Sequence, residues 1–290
     1  MDGQVLLRRL VVSHLGILLA VLCCSACRTA QKVPAPHVAG RLLPRPSHNR
    51  HWQPALAVLP WAEIDHDTVR IHNIRNCYWF DEQSYVPRYY DRKFRLEDLR
   101  TVDFIVVPFR EAPSLAHTML SFGFADGTHL GVSVEARLEV GENYSPWRGA
   151  LNQYELIYVV ADEKDLILLR TEHRKVDVYL YRTKVQPEQV RQLFVDIMQR
   201  VNKLYDHPEF YHTLYNNCTT NIVQHVNRIR PGRIPVSWEM LLTGHSDRLA
   251  FELGLIEGGS SFEETRRSAR INEVAHRYRD RPDFSQQIRR

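Results

Sequence analysis

One cysteine set among polar residues, in Tyr215-Asn216-Asn217-Cys218-Thr219-Thr220-Asn221, is the stretch of this 290-residue chain best suited to chemistry. Thr219, Thr220 and Asn221 all suit a helix N-cap, and Ile222, Val223, Val226 and Ile229 follow at helical spacing. That places Cys218 at or just before a helix N-terminus. The unpaired N–H groups and the positive end of the helix dipole there favour thiolate over thiol, as a nucleophile requires. A structural cysteine can occupy the same place.

A cysteine nucleophile needs a base, and usually a group that orients the base. Fourteen histidines make most of them background. A predicted hairpin narrows the choice, because Ala125-Asp126-Gly127-Thr128 separates two strand-like runs, Ala116 to Phe124 and His129 to Arg137. A three-residue loop with Gly127 left-handed sets Phe124 against Thr128 and His117 against Glu135. A two-residue loop shifts the register by one and brings Ala136 there instead. Ser133 is the second polar partner for His117, and His129 is a weaker one. Cys218 and His225 stand two helical turns apart and no His-Glu-x-x-His pattern occurs, so the expectation is no metal and no cofactor.

The elements that must position these residues read as strands first and helices after. Further strands are expected over Val69–Trp79, Val102–Phe109, Tyr154–Val160, Asp165–Arg170 and Val176–Arg182. Pro187 then opens a helix whose apolar stripe runs Val190, Leu193, Phe194, Ile197, Met198, Val201 and Leu204, ending at His207-Pro208. Short helices are expected over Trp238–Leu242 and Asp247–Leu253, and the arginine-rich end reads as a surface helix with a frayed end. The fold class is α+β, an antiparallel sheet packed with helices.

Hydrophobic content of 44% supports a real core, and a net charge of +4 without an RNA- or DNA-binding pattern excludes nucleic acid as a partner. Three of the five cysteines fall within residues 23–27, so only Cys77 and Cys218 belong to the folded body. Residues 1–27 read as an export signal: Arg8 and Arg9, then an apolar run from Leu10 to Cys23 that is short for a membrane span. Ser25-Ala26-Cys27 resembles the end of a bacterial lipobox, which implies a lipid on Cys27. Ordinary signal cleavage and retention as an anchor are the alternatives. Residues 28–54 form a Pro-rich basic linker, 55–258 the catalytic domain and 259–290 a charged tail.

Four stretches together resemble the signature segments of a bacterial envelope family: residues 116–124, 133–137, 154–163 and 215–221. The family is typified by the N-terminal periplasmic domain of the Lnb lipoprotein N-acyltransferases. It is similar in turn to the permuted NlpC-like, papain-type thiol hydrolases, where the His precedes an Asn-Cys pair that opens a helix. The resemblance implies a permuted papain-like arrangement, with Cys218 as nucleophile, His117 as base and Glu135 or Ser133 as the orienting group. Asn217 or a backbone N–H near Cys218 would serve the oxyanion, with Asn216 in support. It implies an enzyme on the periplasmic side of the envelope, tethered to the outer membrane through Cys27 and acting on acyl groups of lipid, lipoprotein or peptide. The Lnb enzymes carry membrane-spanning segments after this domain, and no later run in this sequence is long and apolar enough to span. The alternative is a non-catalytic envelope lipoprotein, a binding module with a structural Cys77–Cys218 disulfide formed in an oxidising compartment. Oligomeric state leaves no signature in the sequence.

Overall fold

The computed structural model describes residues 45–235 and 243–290. The expected signal, Cys27, most of the linker and the helix expected over Trp238–Leu242 lie outside them. The strands are Trp61–Ile64 (β1), Thr68–Arg75 (β2), Tyr78–Trp79 (β3), Tyr85–Val86 (β4), Tyr89–Arg95 (β5), Leu99–Pro108 (β6), Ala116–Phe124 (β7), His129–Arg137 (β8), Glu155–Asp162 (β9) and Tyr179–Arg182 (β10). The helices are Pro146–Ala150 (α1), Glu163–Leu168 (α2), Pro187–Asp206 (α3), Cys218–Ile229 (α4), Ser246–Glu252 (α5), Phe262–Ala269 (α6), Asn272–Tyr278 (α7) and Phe284–Gln287 (α8).

The main sheet runs β1-β2-β9-β8-β7-β6-β10, with β5 also on β2. Its pairings are antiparallel except for the parallel contact of β2 with β9. The α+β expectation holds. Both faces are covered. Phe104, Leu120, Phe122 and Phe124 face a core shared with the stripe of α3 and with Cys218 and Ile222 of α4. Ile105, Val107, Met119 and Val159 face a second core with Ile167, Ala275 and Phe284 from α2, α7 and α8. Burial on both faces explains why β6 reads as an unbroken apolar run rather than an alternating one.

The central hairpin forms as the three-residue version. Gly127 has φ of +83°, its N–H donates to the Phe124 carbonyl (3.0 Å), and the Phe124 N–H donates to the Thr128 carbonyl (2.9 Å). The register then pairs Gly123 with His129 and Met119 with Ser133. Carried two residues on, the same register sets His117 against Glu135.

Three expectations are corrected. Asp165–Arg170 is not a strand. The Asp162 side chain accepts from the Lys164 N–H (3.0 Å) and caps α2, which continues as a π-turn over Leu169–His173. A short apolar run carries no periodicity that separates a buried strand from a buried helix, so the cap decides it. Residues just before Ala55 are also packed: Trp52 is buried with the Arg137 guanidinium 4.2 Å from its ring centre, and the Ser47 N–H donates to Glu155 (3.1 Å). The C-terminal segment is no frayed tail. Phe262, Ala269, Ile271, Phe284 and Ile288 are buried, and Arg289 reaches Asp103 (2.7 Å) and the Glu163 carboxylate.

Candidate active site

Cys218 is the first residue of α4, and the residue before it makes the helix start there. Asn217 is extended (φ −119°); its Oδ1 accepts from the Thr220 N–H (2.9 Å) while Thr220 Oγ1 accepts from the Asn217 N–H (2.9 Å). This reciprocal cap belongs to Asn217, not to Thr219, Thr220 or Asn221. The Asn217 Nδ2 donates to the Thr213 carbonyl (2.6 Å), so both ends of this amide are committed. Asn217 thus holds the turn with its Oδ1 and one Nδ2 hydrogen, and it lines the cleft together with Cys218. Asn216 also braces the turn: its Nδ2 donates to the Phe210 carbonyl (2.8 Å) and its Oδ1 accepts from Asn221 Nδ2 (2.9 Å).

Cys218 and Cys77 are both free and buried, so the proposed Cys77–Cys218 disulfide is absent. Cys77 sits by Asp165, whose Oδ2 accepts its backbone N–H (2.8 Å), and burial pushes its thiol up to about 11. It is an inert thiol on a different cluster.

His117 and its polar neighbours form one chain of hydrogen bonds. His117 Nε2 lies 2.7 Å from Ser133 Oγ, and the Ser133 hydroxyl donates to Glu135 Oε1 (2.7 Å). Arg170, in the π-turn after α2, donates to the same carboxylate oxygen (3.1 Å) and to the Leu166 carbonyl (2.9 Å). Burial would raise the Glu135 pKa, but the cations, Arg170 first and Arg75 after it, outweigh it and hold the carboxylate ionised far below its ordinary range. An ionised carboxylate only accepts, so the single Ser133 proton goes to Glu135. Ser133 Oγ must then accept from His117 Nε2–H. The network thus fixes the tautomer and leaves Nδ1 with a lone pair. Burial, with Arg170 second, pushes His117 down to about 3. That favours the neutral imidazole, with the Nδ1 lone pair unprotonated.

Cys218 and His117 line one cleft of about 210 Å³ together with Glu135, Arg170, Tyr144 and Tyr211. They enter it from opposite faces of the sheet. Ala116 belongs to the core on the α4 side, and Thr118 Oγ1 meets Thr219 Oγ1 of α4 (3.1 Å). His117 stands between them in β7, so its side chain emerges on the other face, with Ser133 and Met119. The thiol's polar neighbours are the Ala116 carbonyl and Thr219 Oγ1, each 3.9 Å away, and no hydrogen bond joins it to His117. His129 lies elsewhere, at the hairpin turn, with its Nδ1 on the Gly127 carbonyl (3.0 Å).

Several residues around this site escape a reading by spacing. Arg170 was placed in an expected strand. Tyr144 and Tyr211 join hydroxyls (3.2 Å) on the Cys218 side of the cleft. Behind α4, Tyr158 donates to Asn221 Oδ1 (2.9 Å) and meets His225 Nε2 (2.7 Å), while His225 Nδ1 meets Asp196 (2.5 Å). That buried chain ties α4 to β9 and α3. The sequence signal for it is Asn221 and His225, four residues apart on one face of α4. Among the described residues no cluster of three His, Cys, Asp or Glu side chains could hold a metal.

The family model of the Lnb N-terminal periplasmic domain matches residues 85–244, more than half of the chain, including His117, Ser133, Glu135 and Cys218. No curated protein and no solved structure matches. Among the described residues no helix is long and apolar enough to cross a membrane.

Proposed function

The chain belongs to the Lnb N-terminal periplasmic domain family, and from that premise we propose that it is a cysteine-dependent acyl-transfer enzyme of the bacterial envelope. The observation that carries this is the meeting in one cleft of a thiol at a helix start with a neutral, doubly supported imidazole. Residue order supports it too, since the base precedes the nucleophile as in permuted papain-type thiol enzymes. Cys218 Sγ attacks an ester or amide carbonyl, and its proton passes to His117 Nδ1. Both groups line the cleft without a hydrogen bond between them, so in this mechanism the transfer is relayed by water that enters the cleft. The oxyanion is met by N–H groups at the start of α4. The carbonyl then reforms, the ester or amide bond breaks, and the leaving alkoxide or amine takes the proton held by His117. The acyl group stays on Cys218 as a thioester. An amine or water attacks it next, gives its proton to His117, and the thiol is restored.

The acyl donors are lipid, lipoprotein or peptide carbonyls, and Cys27 bears the lipid that holds the protein at the outer membrane. The mass of the mature N-terminus tests the anchor. Replacing Cys218 by Ala or Ser tests the chemistry: each variant should fold and lose all acyl transfer, and a fully active Cys218→Ala protein would end this reading. A non-catalytic binding module is the second reading, and what favours it is the missing hydrogen bond between Cys218 and His117. It predicts that Cys218→Ala changes nothing but packing.

A further inference from the structure

Among the described residues, several exposed large apolar side chains lie on segments that wall the cleft. On one side, the β3–β4 hairpin contributes Trp79 and Tyr85 to the cleft wall and holds Tyr78 and Phe80 out to solvent, 56% and 61% exposed and stacked edge to face. On the other side two segments lie together: Gly149 of α1 packs against Thr213 and Tyr211, where a Cβ would meet Thr213 Oγ1 at 2.4 Å, and Thr213 Oγ1 donates to the Pro146 carbonyl (2.7 Å). With Gly149 turned inward, Trp147 and Leu151, two residues to either side, share the outward face. Trp147 is 82% exposed, and beside it the turn before Cys218 exposes Leu214 and Tyr215. Tyr144 and Thr213 connect this side to the cleft, since both line it.

Single exposed apolar residues are ordinary, but a group of them rimming one opening marks a contact surface. The types point to its partner. Trp and Tyr pair an apolar ring with a polar tip and collect where hydrocarbon meets headgroup. Charge at this opening is mixed: Arg174 lines the cleft paired with Glu82 (3.0 Å), which lines it too, and exposed Arg110 donates to the Arg174 and Lys175 carbonyls (3.0 Å each).

We propose that this rim docks on a phospholipid bilayer, with Tyr78, Phe80, Trp147, Leu151, Leu214 and Tyr215 seated at the headgroup–acyl boundary. The cleft then opens onto the membrane, where an acyl ester can enter it without crossing water. Docking is independent of the thiol chemistry, so Cys218→Ala protein should bind in the same way.

The test uses the full chain and vesicles of phosphatidylethanolamine and phosphatidylglycerol in which part of the lipid carries brominated acyl chains. The readout is tryptophan quenching in the wild type and in Trp147→Phe, which keeps the apolar surface and removes the reporter. Because the comparison isolates Trp147, membrane binding by the N-terminal segment does not mimic it. A quenched component present in the wild type and lost in Trp147→Phe supports docking. Weaker quenching of Trp147 in a Leu151→Asp/Leu214→Asp variant whose melting is unchanged adds to that support. Equal quenching in wild type and Trp147→Phe overturns the proposal. So does burial of Trp147 that rises with protein concentration in the absence of vesicles, which would assign the rim to a second copy of the chain.

Discussion

His117 bonds to Ser133 and reaches Glu135 only through it: Nε2 is 2.7 Å from the serine oxygen and 3.9 Å from the nearer carboxylate oxygen. The serine hydroxyl is therefore the part that fixes the imidazole. Ser133→Ala should cut acyl transfer by about 10²-fold, the lower end of what a positioned base contributes. Leaving buried polar groups unpaired should also cost roughly 1–3 kcal/mol of stability. Steady-state rates and urea melts of the same preparation separate the two effects. An unaltered rate would remove Ser133 from the site.

The guanidinium of Arg170 sets the proton affinity of this chain. It holds Glu135 ionised and helps burial push His117 down to about 3. Iodoacetamide alkylation of Cys218 in the wild type should therefore show no inflection from imidazole near its ordinary 6.5. Arg170→Gln removes the positive neighbour while leaving the Glu135 charge, so the His117 pKa must rise. The imidazole inflection should therefore move to higher pH than in the wild type, while burial, the larger cause, still holds it below 6.5. The absence of that move, in protein shown to be folded, would count against the linkage.

The folded state also depends on a carboxylate far from the cleft. Glu163 is fully buried, accepts from Ser121 (2.5 Å) and is clasped by Arg289, which together with Asp103 holds the C-terminal segment down. Burial would raise its pKa, but Arg289 wins and carries it from 4.5 to about 2. A depressed carboxylate stabilises the fold fully above pH 4.5, and that stabilisation fades as pH falls towards 2. Glu163→Gln should lose about 3 kcal/mol at pH 7, since it breaks a buried ion pair and leaves Arg289 with Asp103 as its one carboxylate partner. Thermal melts should show the gap between wild type and variant narrowing steadily below pH 4.5. A gap of constant size would contradict the clasp.

Asn217 offers a local control on the position of the thiol. Asn217→Ala removes the cap of α4 and should cost roughly 1 kcal/mol, whereas Asn217→Asp keeps an acceptor at the cap and should cost less. Differential scanning calorimetry on the two variants checks the order. The Asp variant keeps the cap acceptor but has no N–H to offer an oxyanion, so retained activity in folded protein would assign the oxyanion to backbone N–H groups and lost activity to the Asn217 side chain.

What was legible in the sequence depended on how local the signal was. The hairpin register followed from Gly127 and loop length, because one left-handed residue decides between two registers, and with it came the opposition of His117 and Glu135. The stripe of α3 was visible because helical periodicity over twenty residues leaves little ambiguity. The α2 segment reads as a strand because six residues, four of them buried, are too few to show a period. The cap moved from the threonines to Asn217 because several residues in a row could serve, and only the turn to Thr213 selects among them. The placing of Ser133 between base and acid depends on side-chain reach across strands. The entry of His117 and Cys218 from opposite faces depends on how a helix closes over a sheet edge, and spacing along the chain encodes neither.

The most direct test of a Cys218 nucleophile is to trap its thioester. The protein is mixed with an activated fatty-acyl ester, quenched in acid, digested and examined by mass spectrometry. The proposed mechanism predicts one acyl group on the peptide carrying Cys218, none in Cys218→Ala, and formation slowed about 10²-fold or more in His117→Ala. An acyl group on another residue, or acylation of Cys218 at the same rate with and without His117, would contradict it.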